Sequence, residues 1–195
     1  MRWLLGTVVA LFVLAGVYAG SAVVSLNALV EAARAGNGAE ILARTDQPRL
    51  RHSLVDQIVT AYLIQTGQNR PIKPWERMVA NTYGASIADA LVSKMLTAEN
   101  LTGILSKGTL AIVPGGDANM PSLGELDTSK LSGILRRISP VKPVEFSIRL
   151  GDSESSGAIS LHFEGDAWKL SGMQLPAPAL KALAQSLPDN RGRKG

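Results

Sequence analysis

Three hydrophobic patterns follow one another along the chain. The first has no period at all. From Trp3 to Ala19 the residues are apolar on every side except for Gly6, Thr7 and Gly16, and no charge occurs between Arg2 and Glu31. A helix crossing a ~30 Å hydrocarbon core needs about 20 apolar residues, and Trp3–Val24 is long enough. A helix also satisfies every peptide group internally, as lipid demands. Trp3 and Tyr18 fall towards its two ends, where amphipathic rings favour the membrane interface.

The second pattern has a helical period. Leu26, Leu29, Val30 and Ala33 form one stripe of a helix over 25–35, which stops at Gly36-Asn37-Gly38. A short helix over 39–44 follows. Asp46 then reads as an N-cap with Pro48 in the first turn, where a missing N–H costs nothing. That helix carries Leu50, Leu54, Ile58, Ala61 and Tyr62 and is expected to end at Gly67. Pro74 opens another, with Trp75, Met78, Val79, Ala88, Leu91, Val92 and Met95 apolar. Thr97 caps a further helix carrying Leu101, Ile104 and Leu105, with Lys107 in its last turn and Gly108 at the stop. Gly108–Glu125 holds four glycines and two prolines and reads as a loop. Asp127–Ile138 is expected to form one more amphipathic helix, ended by Pro140.

The third pattern has period two. Val144, Phe146, Ile148 and Leu150 alternate with Glu145, Ser147 and Arg149; Ile159, Leu161 and Phe163 alternate with Ser160, His162 and Glu164. Gly165-Asp166 is a two-residue hairpin turn. It sets Phe163 opposite Trp168, Leu161 opposite Leu170, Ile159 opposite Gly172, and His162 beside Lys169 on the other face. After Gly172 the phase slips, which predicts a bulge. Pro176 and Pro178 close the strand, and a terminal helix over 179–187 is expected. Helices followed by an antiparallel meander with one apolar face make an α+β fold: an N-terminal transmembrane helix, then a helical layer on a C-terminal meander of about three strands. The expected organisation is a membrane anchor or signal segment over 1–24, one α+β domain over 25–188 and a disordered basic tail over 189–195.

Composition narrows the choices. Only 18% of the 195 residues are charged and 46% are hydrophobic, which excludes a disordered polyelectrolyte. The net charge of +4 owes three of its units to the tail residues Arg191, Arg193 and Lys194. With no cysteine and two histidines, the chain has no disulfide, thiolate metal site, cysteine nucleophile or three-histidine zinc site, and it is no lipoprotein. The leading segment has a second reading as a signal peptide, with Val17-Tyr18-Ala19 offering cleavage before Gly20. Its uncharged run is longer than the usual ~7–15-residue signal core, which favours an uncleaved anchor. Either reading puts the rest of the chain across the membrane.

The candidate chemistry is sparse. His52, Ser53 and Asp56 contain the residue types of a hydrolase triad, yet neighbours on a helix point about 100° apart and no nucleophile elbow accompanies them. Arg49, Arg51 and His52 could meet an anion, but such clusters are commonly solvated helix turns. His162 reads as a half-exposed residue on the polar sheet face. Gly115-Gly116-Asp117 lacks the lysine and context of a phosphate loop. Asn100-Leu101-Thr102 matches a glycosylation sequon but falls inside a helix. Nine aromatics, mostly on apolar stripes, give no platform for nucleic acid. No catalytic, cofactor-binding or metal residue is assigned, and no cofactor is expected.

Three passages carry a family resemblance. Ala33-Arg34-Ala35-Gly36-Asn37, the run Arg44-Thr45-Asp46-Gln47-Pro48-Arg49-Leu50-Arg51-His52-Ser53-Leu54, and Trp168-Lys169-Leu170-Ser171-Gly172-Met173-Gln174-Leu175-Pro176 occur in this order. Together with the helix start Thr97-Ala98-Glu99-Asn100-Leu101, they resemble the bacterial cell-envelope family known as domain of unknown function 2939, over about residues 20–176. Gln47 departs from that pattern, where an aromatic is expected. The resemblance implies localisation and architecture and transfers no catalytic residue. The expected protein is a single-pass inner-membrane domain facing the periplasm, in contact with the membrane through residues 3–24. It would bind an envelope protein or a small apolar ligand on the concave side of its sheet. The alternative is a hydrolase-like envelope enzyme with unidentified catalytic residues.

Overall fold

A computed structural model describes residues 2–69, 85–109, 121–126, 137–151, 153 and 156–187. Six α-helices occur among them: α1 Arg2–Arg34, α2 Gly38–Ala43, α3 Gln47–Asn69, α4 Ala85–Met95, α5 Ala98–Lys107 and α6 Ala177–Ser186. The strands are β1 Ile138–Lys142, β2 Glu145–Arg149, β3 Ala158–Glu164 and β4 Ala167–Gln174. They form one antiparallel sheet in the order β1-β2-β3-β4. The architecture is α+β, with helices first and strands last.

The helix ends follow from local chemistry. Asp46 Oδ1 accepts from the Arg49 amide at 3.1 Å, capping α3 just before Pro48. Thr97 Oγ1 accepts from the Asn100 amide to start α5, and Gly108 ends it at φ 67°, a left-handed position that suits glycine. α3 does not stop at Gly67; it runs to Asn69. A lone glycine costs a helix only about 1 kcal/mol, so it need not break one.

The sheet holds one strand more than the three expected. Ile138, read as the end of a helix, instead begins β1, and Pro140 lies within that strand opposite Phe146. β1 is an edge strand, where a residue without an N–H is tolerated. The rest of the expected helix over 127–138, up to residue 136, lies outside the described residues, as do Pro74, Trp75, Met78 and Val79. In the β3–β4 hairpin, Phe163 pairs with Trp168, His162 with Lys169 and Leu161 with Leu170, as the turn predicts. The register slips earlier than expected. Ser160 pairs with Gly172 and Ile159 with Met173, so Ser171 is the extra residue. A Cβ on Gly172 would lie 3.2 Å from Ser160 Cβ, a tight contact between the paired residues.

The helices meet the sheet chiefly through β4, on which α1 and α3 both pack. Leu26, Leu29, Val30, Ala33, Leu50, Leu54, Ile58, Ile159, Leu170 and Met173 share the buried core. The free edge of β4 is covered by the chain between α2 and α3. Leu170 N donates to Arg44 O and Asp46 N donates to Leu170 O, each at 2.8 Å. Further along, the Gln57 side chain imitates a strand: its Nε2 donates to Met173 O and its Oε1 accepts from Leu175 N. On the apolar face of the sheet, Phe146, Ile148, Leu161 and Leu170 are buried in the same core as the α1 and α3 side chains.

Candidate functional site

The residue types that could act chemically are spread over four places, and the two halves of α1 define the most distinctive of them. Its second half belongs to the core. In its first half the apolar side chains Val8, Val9, Val13 and Val17 are 47% to 67% exposed. An α-helix apolar on all sides is stable in water only if something covers it. The stretch Gly16–Arg34 is itself long and apolar enough to cross a membrane, but 28% of it is buried. Leu26, Leu29, Val30 and Ala33 cannot face lipid and core at once, so the part available to a membrane is the part preceding Tyr18.

Tyr18 marks the change from free to packed helix. Its hydroxyl donates to the carbonyl of Pro143, in the β1–β2 turn, at 2.6 Å. Its ring lies 5.1 Å from Trp168 and 5.4 Å from Phe163, and Phe146 lies 4.7 Å from Trp168 on another side. One helical turn on, Ser21 Oγ accepts from Trp168 Nε1 at 3.0 Å and donates to Tyr18 O at 2.7 Å. Packing on the sheet therefore starts within the stretch 3–24 expected to be embedded. At its far end, α1 is held by Arg34, whose guanidinium donates to Gly124 O and Leu126 O, each at 2.8 Å.

The polar face of the sheet is a second candidate. Glu145, His162 and Lys169 are paired across β2, β3 and β4, and all three are half-buried. The ion pairs here run to neighbours along the hairpins: Lys169 Nζ to Glu164 at 3.1 Å and Lys142 Nζ to Glu145 at 3.6 Å. His162 Nδ1 is buried and makes no hydrogen bond among the described residues. A third feature is an open groove of about 470 Å³ between α2 and α5, lined by Gly36, Ala39, Ala98, Glu99, Gly103 and Lys107. The helices approach so closely beside it that a Cβ on Gly38 would lie 2.3 Å from Ala98 O. Glu99 and Lys107 are eight positions apart on α5, about 12 Å along the axis, so they do not converge on one reacting atom.

The fourth place, the start of α3, is already neutralised. Each basic residue of the cluster has its own carboxylate: Arg49 pairs with Asp46 at 3.0 Å, Arg51 with Asp89, and His52 Nε2 lies 3.3 Å from Asp56. Ser53 does not join His52; its hydroxyl is 3.3 Å from Gln57 Nε2, on the side facing β4. The Arg51–Asp89 pair ties α3 to α4. The hydrogen bond from Arg51 holds the Asp89 carboxyl below its usual value, and the same bond raises Arg51. Asn100 lies in the first turn of α5, with Nδ2 donating to Lys94 O at 2.6 Å, so the sequon is committed to helix packing. Gly115-Gly116-Asp117 and the basic tail lie outside the described residues. Among the described residues no cluster of His, Cys, Asp and Glu is placed to hold a metal.

Sequence reasoning did not pick out Tyr18 as a contact of the sheet. The one signal was a hydroxyl-bearing ring in an otherwise hydrocarbon run.

No curated protein and no solved structure matches the chain. The family model described as a protein of unknown function, DUF2939, matches residues 11–104. That stretch takes in the second half of α1, the Asp46–Leu54 passage and the start of α5, and stops before the sheet. Two of the three passages that carry the resemblance fall within it, and over that stretch the chain is similar to the DUF2939 family.

Proposed function

We propose that this protein is a single-pass inner-membrane protein of the bacterial envelope. Its α+β domain is held on the periplasmic face, where it acts as a binding or structural module. The observation that carries the reading is the free half of α1. Fifteen residues from Trp3 to Val17 are uncharged, and every side chain described among them is exposed. In water, exposed valines on one helix would promote aggregation; in lipid they are solvated. Cleavage before Gly20 is disfavoured, because it would take Tyr18 out of the aromatic cluster and break its bond to Pro143.

The module's contacts with a partner are best assigned to the polar face of the sheet, where Glu145, His162 and Lys169 line up half-exposed. An enzymatic role gains no support at the start of α3, where Ser53 lies with Gln57 and apart from the His52–Asp56 pair. The deciding experiment is fractionation of the full chain expressed in a bacterium. Retention in the membrane pellet after an alkaline carbonate wash is expected. A soluble protein beginning at Gly20 would overturn the anchored reading.

A further inference from the structure

The two hairpin turns of the sheet, at 143–144 and 165–166, lie at the same end, because β1 and β3 run towards it and β2 and β4 run away. Tyr18 touches both hairpins there, through Pro143 O and through Phe163 and Trp168. The free half of α1 leaves the domain at this end. The turns therefore flank the point where the apolar helix emerges.

The length of that helix is short for its task. From Arg2 to Tyr18 it rises about 24 Å at ~1.5 Å per residue, whereas the hydrocarbon core is about 30 Å thick. With Arg2 at the opposite surface, Tyr18 lies at or inside the near boundary of the hydrocarbon, and what is bonded to Tyr18 lies there too. The residues at that level differ between the turns. The β3–β4 turn offers Glu164, Gly165 and Asp166. The other hairpin offers, from the end of β1 through the β1–β2 turn, Val141, Lys142, Pro143 and Val144, all exposed, with Val141 at 54% and Val144 at 40%. Proline and lysine on β1 are explained by protection of a free sheet edge. Two exposed valines beside them are not.

We propose that the β1–β2 turn is a second membrane contact. Val141, Pro143 and Val144 enter the interfacial layer beside the helix, and Lys142 reaches back to the lipid phosphates along its aliphatic stem. The acidic β3–β4 turn is tilted towards water; transmembrane helices tilt by about 20° on average, which suffices to favour one turn over the other. The occupant of this patch is the bilayer that holds α1, so the proposal rests on the anchored reading.

The absence of cysteine allows single-site labelling of the full chain. Val144→Cys, Asp166→Cys and Ser153→Cys would each carry an environment-sensitive fluorophore. Each variant is reconstituted in phosphatidylcholine–phosphatidylglycerol vesicles, with and without phosphatidylcholine brominated along its acyl chains. Circular dichroism checks that each remains folded. Ser153 lies at the opposite end of the sheet, between β2 and β3. The label at 144 is expected to be quenched at least about threefold more than those at 153 and 166. If all variants float with the vesicles but 144 is quenched no more than 166, the turn contact is wrong and the anchor stands. If the full chain does not float with vesicles at all, the anchored reading and this contact fall together.

Discussion

Trp168 concentrates more of the fold's specificity than any other side chain described. It is 4% exposed, touches Tyr18, Phe146 and Phe163, and donates its indole N–H to Ser21. Truncating a buried tryptophan costs about 3–5 kcal/mol, and loss of the aromatic contacts belongs to that cost. Trp168→Ala is thus expected to lower the urea midpoint strongly. Lys169→Ala, one residue on and on the opposite face, should change stability by no more than about 0.5–1 kcal/mol, since it loses only a partly exposed pair with Glu164. Should Lys169→Ala prove the costlier, the strand would have to face the other way. A sharper steric test lies at Gly38. Alanine there would press its Cβ on the Ala98 carbonyl, a backbone atom that cannot rotate aside. Overpacking of this kind typically costs about 1–3 kcal/mol, and thermal melts of Gly38→Ala should show it while Gly20→Ala, with open space around it, stays close to the parent.

At the scale of elements, most of the fold can be read from spacing, because each helix and strand buries one stripe. Leu26, Leu29, Val30 and Ala33 are buried together, as are Leu50, Leu54 and Ile58. The caps at Asp46, Thr97 and Gly108 are equally legible, since each solves a local backbone problem with a local residue. β1 escaped this reading. Its exposed edge carries no alternation, and its proline resembles a helix stop. The bulge was misplaced by about two residues because Ser171 and Gly172 are both small and neither betrays which is unpaired. The packing of Tyr18 was invisible for another reason: 125 residues separate it from Pro143.

Element docking also sets a pH dependence. Asp89 has its carboxyl held down in the folded state by the hydrogen bond from Arg51. Its stabilising share is thus present above the ordinary carboxylate value of about 3.9 and is lost as pH falls through the lower folded value. Arg51, raised by the same bond, stays charged throughout. The pair is exposed, so the effect is small. Urea melts should show Asp89→Asn slightly less stable than the parent at neutral pH, with the gap closing in strong acid.

For the whole molecule, the boundary between the proposed anchor and the domain matters less than the packing boundary at Tyr18. A chain beginning at Gly16 keeps the Tyr18 and Ser21 contacts and is expected to fold as a soluble domain. One beginning at Ser25 loses both and should melt several degrees lower, as about 1 kcal/mol shifts a domain of this size by roughly 2–8 °C. Beginning at Gly20 keeps Ser21 alone and should fall between. Differential scanning calorimetry of the three would place the boundary. Equal melting temperatures would show that Tyr18 contributes nothing to the domain.

α1 has no hinge: its helix passes without a break from the exposed valines into the hydrophobic core. A glycine- and serine-rich tether would let a domain swivel and sample a volume above the bilayer. A rigid shaft about 50 Å long does neither. In the proposed anchored state, any tilt of the helix would become the same tilt of the sheet, so lipid thickness would steer which face is turned away from the bilayer. The shaft also makes a poor leash. Pulling the domain away from the surface would load Leu26, Leu29 and Val30 directly, and extraction from the membrane would compete with unravelling of the core.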